Sequence, residues 1–107
     1  MPRSRLRMLR EWRVMVSRAV EAIRKVYPDA KVYLVGGVAE DRLTVASDID
    51  VAVVFNRELS REERVEVLAR IWEELEESGV PPYYPLHVIV LGRGEVERLR
   101  GAKKRLA

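Results

Sequence analysis

A helical segment with clear start and stop signals lies between two apolar strands, and this arrangement constrains the fold most. The helix is predicted to begin after Ser60, because Ser60 and Glu63 have the spacing of a capping box. It is predicted to end near Gly79, a residue that suits the position after a helix C-terminus. The flanking strands are Ile49–Phe55 and Leu86–Leu91. A connection of this length favours a parallel, right-handed crossover between them.

The N-terminal third of the chain predicts one more helix and one more strand. Apolar residues recur every three or four positions from about Ser4 to Tyr27, which is typical of an amphipathic helix. Lys31–Val35 is short and rich in β-branched and aromatic residues, so it predicts a strand. Residues 38–47 form the connector to the next strand. Because that connector is short and has little predicted structure, the first two strands could pair antiparallel.

The C-terminal residues predict a short last helix from about Gly94, which ends in the basic run Lys103–Arg105. The expected element order is therefore α-β-β-α-β-α, in a single domain over residues 1–107. This order predicts an α/β (α+β) fold, with a small mixed β-sheet and helices packed on it. The predicted core stripe of the central helix consists of Val65, Leu68, Ala69, Trp72 and Leu75.

The charge of the chain is uneven, although its net formal charge is only +3. Residues 1–31 and 92–107 are basic, whereas residues 40–77 are acidic. Basic ends can attract a phosphate-bearing ligand or an acidic protein, although solvated helix faces explain most of these charges. Nucleic acid is not the expected partner, because neither an arginine-rich aromatic platform nor a helix-turn-helix pattern is present.

Composition excludes several classes of site. The chain has no cysteine, which excludes disulfides and thiol catalysis, and its only histidine is His87, which disfavours a zinc site. No apolar run is long enough to span a bilayer. The charged residues 1–13 lack an apolar signal core, so we expect a cytoplasmic protein with no membrane partner. Many charged and few thermolabile residues fit a thermophilic source.

Two short motifs, ten residues apart, carry the chemistry. Gly36 and Gly37 follow the first strand, and glycines there let a ligand approach backbone N–H groups that can face phosphate oxygens. Asp48 and Asp50 open the second strand, and their spacing of two places both carboxylates on one face. A divalent cation would relieve the repulsion between them, and Mg²⁺ commonly takes one or two carboxylates together with substrate phosphates. Each motif alone is also compatible with an ordinary turn.

Together the two motifs resemble the G-[GS]-x(about ten)-D-x-D signature of the DNA polymerase β-like nucleotidyltransferases. At this length the chain is most similar to the minimal nucleotidyltransferases of archaea and bacteria, and Ser47 before Asp48 also fits that family. The resemblance extends to the order of elements over most of the chain. Its specific motif covers only residues 34–55.

The resemblance implies transfer of a nucleoside monophosphate from an NTP, with ATP expected, to an acceptor hydroxyl. It implies that Asp48 and Asp50 bridge two Mg²⁺ ions in a two-metal arrangement, and that Gly36 and Gly37 seat the β- and γ-phosphates. Some minimal members of the family act as antitoxins toward a separate helical HEPN-type toxin, in some cases by adenylylating it. A HEPN-type partner protein is therefore expected here too, and the sequence leaves self-association open.

The chain departs from the family pattern at two positions. Many relatives have serine where this chain has Gly37. The family's third carboxylate normally lies on the strand after the central helix, and there the only polar side chain is that of His87. Histidine can bind a metal or act as a general base, although a lone histidine at a strand start is often only a surface residue. The alternative function is thus a catalytically impaired nucleotide-binding or protein-binding module, antitoxin-like, that neutralises a partner.

Further residues are weaker candidates. Arg42 in the connector and Arg93 after the third strand could contact phosphate, although an exposed loop position explains each equally well. Tyr83 and Tyr84 precede the third strand and could stack on a base, with packing as the default expectation.

Overall fold

The described part of the chain, residues 10–36, 48–99 and 103–107 of a computed structural model, contains two helices, four strands and one 3-10 turn. In chain order these elements are α1 (Trp12–Val26), β1 (Lys31–Val35), β2 (Ile49–Val54), α2 (Arg61–Glu77), β3 (Leu86–Leu91), the 3-10 turn Val96–Arg98 and β4 (Lys103–Arg105). The predicted α/β (α+β) class, with helices packed on a small mixed sheet, is confirmed. None of the described helices is both long and apolar enough to cross a membrane.

The four strands form one sheet in the order β3-β2-β1-β4. β1 pairs antiparallel with both β2 and β4, whereas β2 and β3 are parallel. A parallel pair needs a long crossover, and α2 supplies it, as predicted from the chain between the two strands. The sheet therefore places the start of β2 beside the start of β3.

One face of the sheet carries the helices and most of the core. Alternate residues of β2, namely Ile49, Val51 and Val53, are fully buried against them. The opposite face holds a smaller buried cluster of Val35, Ala52 and Leu91. We call this second face the open face, because neither α1 nor α2 covers it.

Helix α2 begins and ends where the sequence predicts. The Ser60 hydroxyl accepts a hydrogen bond from the Glu63 N–H at 3.1 Å, and the Glu63 carboxylate accepts one from the Ser60 N–H at 3.0 Å. Gly79 follows the C-cap with φ of +91°, a left-handed conformation that glycine adopts without a Cβ clash. These signals are local, which is why they can be recognised in the sequence alone.

The predicted core stripe of α2 is confirmed only in part. The buried residues are Val67, Ile71 and Leu75, of which only Leu75 was predicted. Val65 is 64% exposed, Ala69 is also exposed, and Leu68 and Trp72 are half-buried at the edge of the core. The helix has two apolar stripes side by side, and periodicity cannot tell which of them meets the sheet.

The predicted last helix is also wrong. Among the described residues after β3, the single turn Val96–Arg98 is helical, and the basic run Lys103–Arg105 is strand β4. The physical reason is that the edge of β1 would be unpaired without β4. The pairing continues beyond β4, because the Leu106 N–H donates to the Val32 carbonyl at 2.7 Å. Tertiary pairing thus overrides the local preference. The predicted start of the first helix, near Ser4, lies outside the described residues.

Candidate functional site

The start of β2 presents Asp50 toward the open face. Ile49 and Val51 point into the helix-side core, so Asp50 between them points the opposite way. Its side chain is 30% exposed. Asp48 lies just before the strand and is exposed. Both carboxylates are therefore accessible at one end of the sheet.

Neighbouring strands extend this position into a row across the sheet. Asp50 pairs with Val35 of β1 and with His87 of β3, and Val35 pairs in turn with Lys103 of β4. Residues directly opposite each other in a sheet share a face. The row Lys103, Val35, Asp50 and His87 therefore lies on the open face.

His87 is the closest ionisable neighbour of Asp50 that the sheet provides. Its Nδ1 lies 3.4 Å from Oδ1 of Asp50, an ion-pair distance when the imidazole is protonated. The His87 side chain is 66% exposed, so most of the ring can be reached by a ligand. Since Nδ1 faces Asp50, Nε2 is the ring nitrogen directed away from it.

Gly36 completes this end of the site from the β1 side. It follows β1 directly and has φ of +75°, which strains any residue with a Cβ. A Cβ at this position would lie 2.8 Å from Oδ2 of Asp50. The absence of a side chain at Gly36 is therefore what gives the Asp50 carboxylate its room.

The predicted site residues divide into two groups. Gly36, Asp50 and His87 lie together at one end of the open face, and Asp48 lies next to this end, just before β2. The remaining candidates, Gly37, Arg42 and Ser47, lie outside the described residues.

The weaker candidates lie elsewhere. Arg93 follows the C-terminal end of β3, opposite the end that carries His87, and donates to the Asn56 carbonyl at 2.9 Å. Tyr84 is buried, and burial raises the pKa of its hydroxyl to about 12. Packing was also the default expectation for Tyr83, and this was wrong, because Tyr83 is 72% exposed.

Lys103 is the residue that sequence reasoning missed. It was placed in a helix, whereas β4 brings it into the row of Asp50, two strands away. Adjacent strands are about 4.8 Å apart, so a lysine side chain on this face can reach a ligand bound beside Asp50. Its Nζ lies 3.4 Å from the Leu99 carbonyl. No local signal marked it, because its position depends on the pairing of β4 with β1.

The donor set at this site fits Mg²⁺. Asp48 and Asp50 offer hard carboxylate oxygens, and Mg²⁺ usually binds one or two carboxylates and completes its shell with water and substrate phosphates. The space that Gly36 leaves beside Oδ2 of Asp50 gives such a ligand access. Within the described ranges, no three histidine, aspartate or glutamate side chains form a group that could hold a metal ion alone.

Comparison with known proteins gives a consistent result. The sequence model of the nucleotidyltransferase domain family matches residues 16–105. A candidate nucleotidyltransferase from Sulfolobus solfataricus has a similar fold, with a TM-score of 0.68 over 98% of this chain and 87% of its own, at 22% identity. Another crystal structure of a candidate nucleotidyltransferase gives a TM-score of 0.62 over 86% of this chain and 97% of its own, at 25% identity. No curated protein matches the sequence.

Proposed function

Because the chain belongs to the nucleotidyltransferase domain family, we propose that it transfers a nucleoside monophosphate from an NTP to an acceptor hydroxyl. The proposed reaction depends on Mg²⁺, uses ATP as the expected nucleotide and releases pyrophosphate. The observation that carries the proposal is the contact set around Asp50. Gly36 leaves the space beside one carboxylate oxygen, and His87 lies 3.4 Å from the other.

Asp48 and Asp50 are the residues proposed to hold Mg²⁺. When bound, the ion would neutralise charge on the triphosphate and favour attack by the acceptor oxygen. Gly36, with Gly37 after it, would let phosphate oxygens approach the main chain. Lys103 shares the face and the row of Asp50, so its ammonium group would add positive charge beside the phosphates.

The proposed transfer balances without a further reagent. The acceptor oxygen forms a bond to the α-phosphorus, and the bond from that phosphorus to the bridging oxygen of pyrophosphate breaks. The proton of the acceptor hydroxyl passes to a base, and we assign this role to Nε2 of His87. The assignment rests on the exposure of the ring and on the contact of Nδ1 with Asp50.

A partner chain is proposed to supply the acceptor. The open face includes the sheet and the segment around Leu99, and a partner chain would contact it there. The resemblance to minimal nucleotidyltransferases suggests a helical HEPN-type toxin as that acceptor, with this chain as its antitoxin.

One observation favours a second candidate function. β3 carries His87 where the family pattern has a third carboxylate, and the described residues hold no group of three metal ligands. The alternative is therefore a module with impaired catalysis, which binds a nucleotide or a partner protein and neutralises that partner by contact. In this case Asp48 and Asp50 would be dispensable for neutralisation.

Label transfer distinguishes the two candidates. The protein is incubated with Mg²⁺, ATP labelled at the α-phosphate and a purified HEPN-type protein as the proposed acceptor. Transfer predicts Mg²⁺-dependent label on the acceptor, lost in Asp50→Asn and retained in the control Asp29→Asn, which alters an exposed carboxylate before β1. Neutralisation of the partner by Asp50→Asn, with no label transferred by the wild type, would overturn the enzymatic proposal.

A further inference from the structure

The outer edge of β3 has no strand beside it within the described residues. β3 is the last strand in the sheet order, and β2 is the strand that pairs with it. The Pro85 and Leu91 carbonyls accept hydrogen bonds from β2, so the odd-numbered residues of β3 turn their backbone groups inward. The backbone groups of Leu86, Val88 and Val90 therefore point outward.

The two edges of the sheet differ in how they are protected. β4 at one edge consists of Lys103, Lys104 and Arg105, a charged edge of the kind that blocks pairing with another chain. β3 at the other edge reads LHVIVL and contains neither proline nor a permanently charged side chain. An apolar edge strand without such protection is a favourable place for strand addition.

An apolar stripe on α2 adjoins this edge. It consists of Val65, Leu68, Ala69 and Trp72, which are exposed or half-buried despite helical spacing that would suit a core. Val65 and Tyr83, in the turn before β3, are two of the three large hydrophobic residues that stand out as exposed. Trp72 is a residue type enriched in the centres of protein interfaces.

Contacts on either side of α2 show where this stripe faces. Glu74 forms an ion pair with Lys25 at 2.9 Å, so that flank of α2 faces α1. Arg64 donates to the Val90 carbonyl at 3.3 Å, so the other flank faces the outer edge of β3. On a helical wheel Val65, Leu68 and Trp72 lie beyond Arg64, on the side away from Glu74. The stripe and the free edge thus form one continuous surface.

We propose that a second copy of this chain docks on this surface, with the two β3 strands paired antiparallel about a two-fold axis at Val88. The outward N–H and C=O groups of Val88 would exchange two hydrogen bonds across the axis. The Val90 N–H of each copy would donate to the Leu86 carbonyl of the other. The two remaining outward groups already have partners within the chain. The Leu86 N–H donates to the Tyr84 carbonyl, and the Val90 carbonyl accepts from the Arg64 guanidinium.

The same axis brings complementary residues of the two α2 helices together. The Arg64 guanidinium contacts the Val90 carbonyl, so we place Val88, about 7 Å back along β3, beside the part of α2 about four positions further on, near Leu68. Antiparallel helices centred there place Val65 against Trp72 of the second copy. They also place Arg61 near Glu76 of the second copy, which are opposite charges on exposed positions. A second copy therefore matches this surface in hydrogen bonding, apolar contact and charge.

This interface leaves the proposed catalytic residues accessible. α2 lies on the helix-covered face, whereas Asp50 and His87 lie on the open face. The two copies would form one eight-stranded sheet, and the proposed catalytic sites of both copies would lie on the same side of it. His87 of each copy would be one residue from the two-fold axis. The inference does not depend on the proposed reaction, because it rests on β3 and α2 alone.

The molar mass in solution, measured by light scattering over a range of protein concentrations, tests the interface. We expect about twice the 12.4 kDa of one chain for the wild type. Val65→Glu places a charge against Trp72 and should raise the dimer dissociation constant at least about tenfold. Val14→Glu is the matched control, because Val14 is also exposed, at 53%, but lies on α1. A monomeric wild type, or a dimer weakened as much by Val14→Glu as by Val65→Glu, would overturn the proposal.

A charge exchange gives a second, independent readout. Arg61→Glu and Glu76→Arg should each weaken the dimer, and the double variant should restore it, because both positions are exposed and tolerate either charge. Hydrogen exchange of the Val88 amide should be slow in the dimer and become faster in Val65→Glu. Equal weakening by the double variant and the single variants would show that the two residues do not meet.

Discussion

The main chain of Gly36 and the carboxylate of Asp50 lie so close that a side chain at Gly36 would meet the carboxylate. An added Cβ would lie 2.8 Å from Oδ2 of Asp50, although the two residues are fourteen positions apart in the sequence. The pairing of Val35 with Asp50 fixes this approach. The glycine motif and the acidic motif therefore form one site because of the antiparallel register of β1 and β2.

Gly36→Ala should weaken ATP binding through this contact. The substitution strains a φ of +75° and pushes the new Cβ against Asp50, so we expect at least about a tenfold loss of affinity by calorimetry. Gly94→Ala is the matched control, since Gly94 has φ of +79° but no atom within 4 Å of the added Cβ. Both variants should lose about 1–2 kcal/mol of unfolding free energy from the backbone strain. Equal ATP affinity in the two would contradict the role given to the contact.

Lys103→Ala should lower the affinity for ATP about fivefold, a free-energy change of about 1 kcal/mol, as expected for an exposed ion pair with phosphate. The reason is that Lys103 shares the row of Asp50 on the open face. Lys104→Ala is the control, because Lys104 pairs with Leu34 and lies on the helix-covered face. Binding isotherms at low and high salt would check this, and a larger loss in Lys104→Ala would exclude the assigned position.

His87→Asp should make the stability of the protein respond to Mg²⁺. The new carboxylate would lie beside Asp50, so repulsion between like charges should lower the melting temperature in the absence of a divalent ion. Mg²⁺ should reverse this loss, because it binds the folded state with three carboxylates nearby. His87→Asn is the control and should show a smaller response in thermal unfolding. The same Mg²⁺ response in both variants would place the ion away from β3.

Glu95→Gln should remove a pH-dependent part of the stability. Hydrogen bonding to Arg64, with a further bond from the Gly92 N–H at 2.8 Å, lowers the pKa of the Glu95 carboxyl. A lowered pKa means that the contribution is fully present above the ordinary glutamate pKa and is lost as the pH falls through the lowered value. Denaturation of the wild type from neutral to acidic pH should show this loss, and Glu95→Gln should show less of it.

Glu97→Gln is the control for this comparison, since Glu97 lies in the same turn but is exposed. Arg98, which lies 3.4 Å from the other Glu95 oxygen, is left unchanged in both variants. An identical pH profile for Glu95→Gln and the wild type would show that the Arg64 contact does not stabilise the fold.

The sequence predicts those features that have local causes. The capping box at Ser60 and the strand bounds at Lys31–Val35 and Leu86–Leu91 are confirmed, because each depends on neighbouring residues. The shared face that the spacing predicts for Asp48 and Asp50 stays a prediction, because β2 begins at Ile49. The role of these residues in catalysis stays a prediction.

Features that depend on tertiary pairing could not be predicted. The run Lys103–Arg105 has no strand-forming pattern of its own, and β4 exists because β1 offers it an edge. The core stripe of α2 was misassigned because Val65 and Val67 both begin an apolar series with helical spacing. The first series is exposed at Val65 and Ala69 and half-buried at Leu68 and Trp72, and this is the surface on which the dimer proposal rests.

Calorimetric titration with ATP, with and without Mg²⁺, tests the central claim about Asp48 and Asp50 most directly. The account predicts that the wild-type protein binds ATP only when Mg²⁺ is present. It also predicts that the Asp48→Asn/Asp50→Asn variant loses this binding while it unfolds at a temperature close to that of the wild type. Absence of binding by the wild type for all four NTPs, or equal binding by the variant, would contradict the account.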